Sequence, residues 1–165
     1  MTTDGPQFYG KFRGVVSDNR DPLMLGRIKA RVPDVFGTED SGWALPATPY
    51  AGNGVGLFLI PPNDASVWIE FEGGNPEYPI WSGCFWAQGE LPVTPAVPEM
   101  KVLKTDTATI TLNDTPGAGG VKIETSSGMK IEITVTGIEI NDGQGGSIKL
   151  TGPKVSTNDG ALEVT

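Results

Sequence analysis

Histidine is missing from the chain, and cysteine occurs once, as Cys84. The first absence removes the commonest general base and the commonest metal ligand. The second excludes an intrachain disulfide and fits a reducing compartment. No apolar run approaches the ~20 residues of a membrane-spanning helix. The opening MTTDGPQFYG has no basic segment followed by an apolar one, so no secretory leader is expected. Basic residues are also scarce, 12 against 20 acidic, for a formal net charge of −8. That balance disfavours nucleic acid, whose affinity comes largely from Lys and Arg neutralising phosphates. It equally disfavours an anionic membrane surface. One more absence is positional. Four Trp, three Tyr and six Phe all lie between Phe8 and Trp86, and no aromatic residue follows.

What is present points to β structure. The chain has 165 residues, enough for one ordinary domain or two small ones. Glycine (23) and proline (14) are both high, which favours turns and short strands over long helices. The composition changes near Trp86. The stretch that follows, AQGELPVTPAVPEM, carries Pro92, Pro95 and Pro98, a spacing that makes a stiff, extended connector. The expected organisation is a first domain over 1–88, a proline-rich linker over 89–100 and a second domain over 101–165.

The first domain reads as a small barrel. FYGKFRGVV (8–16) is strand-like. LGRIKARVP (25–33) alternates, with Ile28, Ala30 and Val32 on one side and Arg27, Lys29 and Arg31 on the other. SDNRDP between them is a turn. VGLFLIP (55–61), SVWIEFE (66–72) and PIWSGCFW (79–86) supply three more strands. Five strands in ~80 residues suit an OB-like barrel. Periodicity does not separate that from an SH3-like barrel or a small sandwich.

The second domain is a degenerate repeat. The apolar pairs are Ile110/Leu112, Val121/Ile123, Ile131/Ile133, Ile138/Ile140, Ile148/Leu150 and Leu162/Val164. Each pair lies on one face of a short strand, and glycine-rich turns separate the strands. A segment of this size without aromatics or disulfides is marginal alone, and open strand edges invite pairing with other chains. Two solutions follow from the pattern. Three copies wound around one axis would point these side chains inward, as an intertwined β-helix or β-prism. Alternatively, the segment is a second sheet packed on the first barrel.

Several residues are candidates for chemistry. The acids Asp18, Asp21, Asp34, Glu39, Asp40, Asp64, Glu70, Glu72 and Glu77 read as turn formers and solvated faces rather than paired catalytic carboxylates. Arg27, Lys29 and Arg31 form one basic strand face, suited to a partner or intersubunit contact or to solvent. Trp68 lies opposite Val67, Ile69 and Phe71 and is the aromatic best placed for a contact to a partner or sister subunit. Trp43, Trp81, Phe85 and Trp86 read as barrel core rather than as a carbohydrate-binding platform, and Cys84 as a small buried residue. GAGG (117–120) and GQGG (143–146) lack a phosphate loop's Gly-Lys-Ser/Thr ending and following helix, and read as turns.

Four stretches in order then match a known family: GVVSDNRDPLMLGRIKARVP, WALPATPYAG, VWIEFEGGNPEYPIWSGCFW, and the tail GIEINDGQGGSIKLTG with ALEV. They cover most of the chain, and DNRDPLMLGRIKARVP is the most specific. The chain resembles the central spike proteins of contractile injection machines, namely phage baseplate assembly protein V and the related VgrG and phage-like spikes.

The resemblance implies an all-β protein, with an N-terminal OB-fold barrel followed by a C-terminal intertwined, trimeric triple-stranded β-helix. It implies a non-enzymatic homotrimer, assembled in the cytoplasm, at the centre of a virion or injection-particle baseplate. The needle core would be Ile110, Leu112, Val121, Ile123, Ile131, Ile133, Ile138, Ile140, Ile148 and Leu150. Leu162, Val164 and Thr165 would form an end face for a PAAR-type tip protein. Arg27, Lys29, Arg31 and Trp68 would meet a separate hub protein or a sister subunit. No lysozyme-like domain interrupts the chain, so no cell-wall hydrolase activity is implied. No cofactor is implied either, although trimeric needles can hold axial ions, and neither nucleic acid nor stable membrane insertion is expected. The competing reading is a monomeric OB-plus-β-sandwich module that binds glycan or protein. A third, a small acid hydrolase, would need catalytic carboxylates.

Overall fold

The computed structural model describes residues 5–164. The chain divides into two compact units, with the division falling between Gly89 and Glu90. In the first unit the strands are β1 (Phe12–Asp18), β2 (Lys29–Arg31), β3 (Leu45–Pro46), β4 (Ala51–Gly52), β5 (Val55–Gly56), β6 (Ser66–Phe71) and β7 (Pro79–Cys84), with an α-helical turn, α1 (Pro33–Phe36), and a 3-10 turn over Glu72–Gly74. Five of the strands form one sheet in the order β2-β1-β6-β7-β3. All its pairings are antiparallel except the parallel β3–β7 pair. Bridges Ile28↔Ala44 and Arg31↔Asp40 then tie the segment leading into β3 back to the β2 end, closing the ring. The closing bonds are Ala44 N–H to Ile28 O at 2.8 Å and Ile28 N–H to Ala44 O at 3.2 Å.

Alternation sets what lies inside. Ile28, Ala30 and Val32 are fully buried, as are Val16, Ala44, Val67 and Ile69, and Phe71 and Trp81 complete the core. Phe8, Phe12 and Phe36 crowd around Phe71 with ring centroids 5.6–6.1 Å away, plugging one end. Polar groups that enter this core are paired. The Ser41 hydroxyl accepts the Ala30 N–H at 3.1 Å and donates to Gly42 O at 2.7 Å. The Trp81 indole N–H donates to Gly26 O at 3.1 Å, which lets a large ring be buried without stranding its donor.

Two local expectations fail here. Of the run Val55–Pro61, only Val55–Gly56 pairs, in a two-stranded ribbon with Ala51–Gly52. Leu57–Ile60 lies outside any strand, because Leu45–Pro46 takes the place beside β7. An unbroken apolar run has no alternation to hold it in a one-sided sheet. Cys84 is exposed rather than buried. It sits at the end of β7, beside a shift in register against β6 and just after Gly83 at φ +126°.

The second unit is a single antiparallel meander of β8 (Met100–Lys104), β9 (Ala108–Asn113), β10 (Gly120–Thr125), β11 (Lys130–Thr134), β12 (Gly137–Asn141), β13 (Ser147–Thr151), β14 (Lys154–Thr157) and β15 (Leu162–Val164). Each strand pairs with its neighbours in sequence, so cross-chain pairing is left to the two end strands, β8 and β15. Eight strands at ~4.8 Å spacing carry the sheet roughly 34 Å along its hydrogen-bonding direction. The turns are held by their own side chains. In NDGQGG, Asn141 Oδ1 accepts the Gly143 N–H at 2.7 Å. Asp142 Oδ1 accepts those of Gln144 at 2.8 Å and Gly146 at 2.9 Å.

Candidate functional site: an open aliphatic sheet face

The register of the meander sorts its side chains into columns. Cross-strand partners on one face run Leu103, Ile110, Ile123, Ile131, Ile140, Ile148, Thr157 and Leu162. Beside them runs a second column of Lys101, Leu112, Val121, Ile133, Ile138, Leu150, Val155 and the Val164 position. The face is therefore two residues wide and almost wholly aliphatic. The ten residues expected to form a needle core all lie in these columns. Thr165 lies outside the described residues. Leu162 is exposed on the last strand, and Val164 pairs with Val155 through the backbone.

Nothing in the unit covers this face. Ile110, Leu112, Ile123, Ile131, Ile133, Ile138, Ile140, Ile148 and Leu150 are each 37–46 % exposed. Among the described residues after Gly89, no apolar side chain is buried. A soluble monomer rarely shows a continuous apolar patch beyond ~300–600 Å². A sheet without a second layer has also not met the usual requirement of a two-layer core.

The opposite face is charged and internally paired. Lys130 lies 3.0 Å from Glu132 and 3.3 Å from Glu139, which face each other directly across β11 and β12. One ammonium thus separates two like charges. The Glu132 carboxylate first, and Glu139 after it, hold the Lys130 pKa above its ordinary value. Lys149 and Asp159 meet at 2.7 Å, raising the lysine and lowering the aspartate. Lys122 and Glu124 meet at 2.7 Å. Lys101, at the rim of the aliphatic columns, pairs with Asp114.

The four barrel residues expected at a partner surface are engaged within the barrel itself. Arg27 is gripped by Asp21, with Nη2 to Oδ1 at 2.6 Å and Nε to Oδ2 at 3.0 Å, and its guanidinium lies 5.5 Å from the Trp43 ring centre. Lys29 Nζ lies 5.3 Å from the same ring. Arg31 reaches Asp64 at 3.4 Å, both well exposed. Trp68 is half-buried and packs on Phe85 at 4.7 Å, with Arg13 within 5.4 Å of both rings. Among the remaining aromatics, Trp81 is buried, Trp43 and Phe85 are half-buried, and Trp86 is exposed.

Sequence reasoning missed two features. Asp21 looked like a turn former, but its carboxylate also accepts backbone N–H groups from Leu23, Leu25 and Arg27. The Arg27 guanidinium, aided by those donors, holds the Asp21 carboxyl far below the usual carboxylate range. The second is an apolar surface on the loops around Leu23–Leu25 and Tyr50–Leu59. The signal for it was the unalternating GVGLFLIPP run. Among the described residues no group of three or more His, Cys, Asp or Glu side chains is placed to hold a metal ion, and no helix is long and apolar enough to cross a membrane.

Comparison with protein families places both units. Residues 12–86 match the family described as the type VI secretion system/phage-baseplate injector OB domain. Residues 100–163 match the phage baseplate V C-terminal trimerisation domain. No curated protein matches the chain significantly.

Proposed function

The chain belongs to the phage baseplate V family, an injector OB domain followed by a trimerisation domain, and from that premise we propose that it is the structural central spike of a baseplate. Three copies turn their aliphatic columns inward and their Lys/Glu/Thr faces outward. The intertwined β-helix then takes the form of three meander sheets wrapped about one axis, each supplying the second layer that the others lack. Ile110, Leu112, Val121, Ile123, Ile131, Ile133, Ile138, Ile140, Ile148 and Leu150 form its dry interior. The observation that carries this reading is the pair of aliphatic columns left open along a one-layer sheet.

The rest of the proposed role is what the resemblance to baseplate spikes implies. A closed prism of paired strands cannot open locally without parting its subunits, which is the rigidity that piercing an envelope requires. The OB barrel docks on a separate hub protein, with Arg31, Lys29 and the Trp68 face at the contact despite their partners within the barrel, and with Arg27 acting through the loop it holds. Leu162, together with Val164 and Thr165 that follow it in sequence, seats a PAAR-type tip protein. The work is mechanical and calls for no catalytic residue.

The deciding measurement is mass in solution. Sedimentation of the purified chain should give three copies, stable to heat and detergent, and a stable monomer would end the proposal. Removing 161–165 should abolish capture of a PAAR-type partner while the trimer persists.

A further inference from the structure

The barrel unit has an apolar surface of its own, separate from the aliphatic columns. Leu23, Met24 and Leu25 are 62, 88 and 55 % exposed on one loop, and Tyr50, Val55 and Phe58 are 60, 54 and 76 % exposed on another. The loops adjoin: a methyl group at Gly26 would sit 3.3 Å from Ile60 Cδ1 and 3.5 Å from Phe58 Cε2. Between them runs a groove of about 270 Å³, lined among others by Leu25, Pro46, Tyr50, Val55, Leu57 and Trp81, with no charged side chain in its wall. That volume lies at the low end of the scale of small-molecule sites, ~300–1,000 Å³, and suits one or two apolar side chains.

The loop beside the groove is preformed. The Asp21 carboxylate takes the N–H groups of Leu23 at 3.0 Å and Leu25 at 2.8 Å, while Asp21 O takes that of Met24 at 3.0 Å. Met24 itself is held at φ +53°, a left-handed conformation that costs free energy in a residue with a side chain. The backbone beneath this exposed methionine is thus already ordered, which lowers the entropy that docking would cost.

We propose that the Leu23–Met24 knob of one copy seats in the groove of the next, so that three barrels close into a ring of head-to-tail contacts. Three reasons select a second copy of this chain as the occupant. A threefold ring joins two different patches of one surface, and this surface carries one convex patch and one concave patch. The trimerisation domain keeps two further copies at hand, so a weak contact is made at high effective concentration. The groove has no charge to select an acidic or basic partner. The inference rests on the trimer proposed above.

The test uses the full chain in a Cys84→Ser background. One copy carries Met24→Cys and one tag, and another carries Val55→Cys and a second tag. The two are expressed together, purified through both tags in turn and treated with a short bis-maleimide. A covalently linked pair bearing both tags is the expected result, absent when either new cysteine is left out. Adding Leu57→Asp to the groove copy should lower the linked yield about tenfold or more, the effect of a charge set into an apolar seat. Mixed trimers recovered through both tags but giving no linked pair would overturn the ring and leave the surface to another protein. Failure of either tag to recover the other chain would overturn the trimer itself, and the ring with it.

Discussion

Asp21 and Arg27 close the loop between them with a two-pronged pair, at 2.6 Å and 3.0 Å, in which the carboxylate is only 4 % exposed and the arginine side chain 16 %. Three backbone N–H groups converge on the same carboxylate. A single acidic group thus sets the shape of the whole turn, and its charge is part of the fold.

That charge predicts a pH dependence. The Asp21 pKa is depressed in the folded state, chiefly by Arg27, against an ordinary value near ~4. The stability it contributes is therefore complete above about pH 4 and is lost as pH falls from there toward the depressed folded value. Asp21→Asn should melt at a lower temperature than the parent at pH 6–8. The gap between the two proteins should narrow steadily between about pH 4 and pH 2. A gap that stayed constant to pH 2 would mean that folding does not depress the Asp21 pKa.

Gly137 is predicted to be irreplaceable within the meander. It opens β12 at φ +147°, and a Cβ built on it would lie 2.0 Å from Leu150 O on β13. Gly137→Ala must push the two strands apart at the centre of the sheet. We expect a loss of about 1–3 kcal/mol per chain, typical of overpacking and backbone strain, read as a lower melting temperature of the assembled protein.

Lys130 is predicted to matter more than an ordinary surface lysine, though modestly. It alone stands within ion-pair distance of both Glu132 and Glu139 among the bridges described. Lys130→Met removes two attractions and leaves two carboxylates facing each other across the strands. The expected cost is about 1 kcal/mol per chain, falling as salt is added. Lys122→Met, which loses one pairing with its own strand neighbour, should cost less.

How much of this was legible in the sequence differs between the two units. The meander was readable because period-2 alternation is a local signal. Ile138/Ile140 and Ile148/Leu150 declare their shared face from spacing alone, and the structure then supplies the register that stacks them. The same pattern left open whether a barrel or sister copies cover that face. In the barrel, Ile28, Ala30 and Val32 were equally plain. Leu57–Ile60 was not, because an unbroken apolar run fits both a buried strand and an exposed apolar loop, and which one forms depends on whether Leu45–Pro46 has already taken the place beside β7. Asp21 is the turn former that was expected, but the rest of its role was hidden for the same kind of reason. A turn aspartate and a five-donor clamp have the same one-letter code, and only folding brings Arg27 back onto it.

The sharpest prediction contrasts two adjacent residues. Ile140 sits in the first aliphatic column between Ile131 and Ile148, and Glu139 sits on the other face between Glu132 and Lys149. In a trimer with the columns inward, Ile140→Asp places three unpaired carboxylates around one axis, at a cost on the order of 3–5 kcal/mol per copy for a buried charge without a partner. Glu139→Gln alters only a surface pair and should stay within about 1 kcal/mol. Sedimentation should therefore show Ile140→Asp as dissociated chains and Glu139→Gln as trimer. The placement of the aromatics makes the failure attributable. All four tryptophans lie in the barrel unit, so an Ile140→Asp chain that loses the trimer through its sheet alone keeps the emission of a folded barrel, whereas general misfolding shifts it. If Ile140→Asp remained trimeric, the aliphatic columns would not be the interior of the assembly.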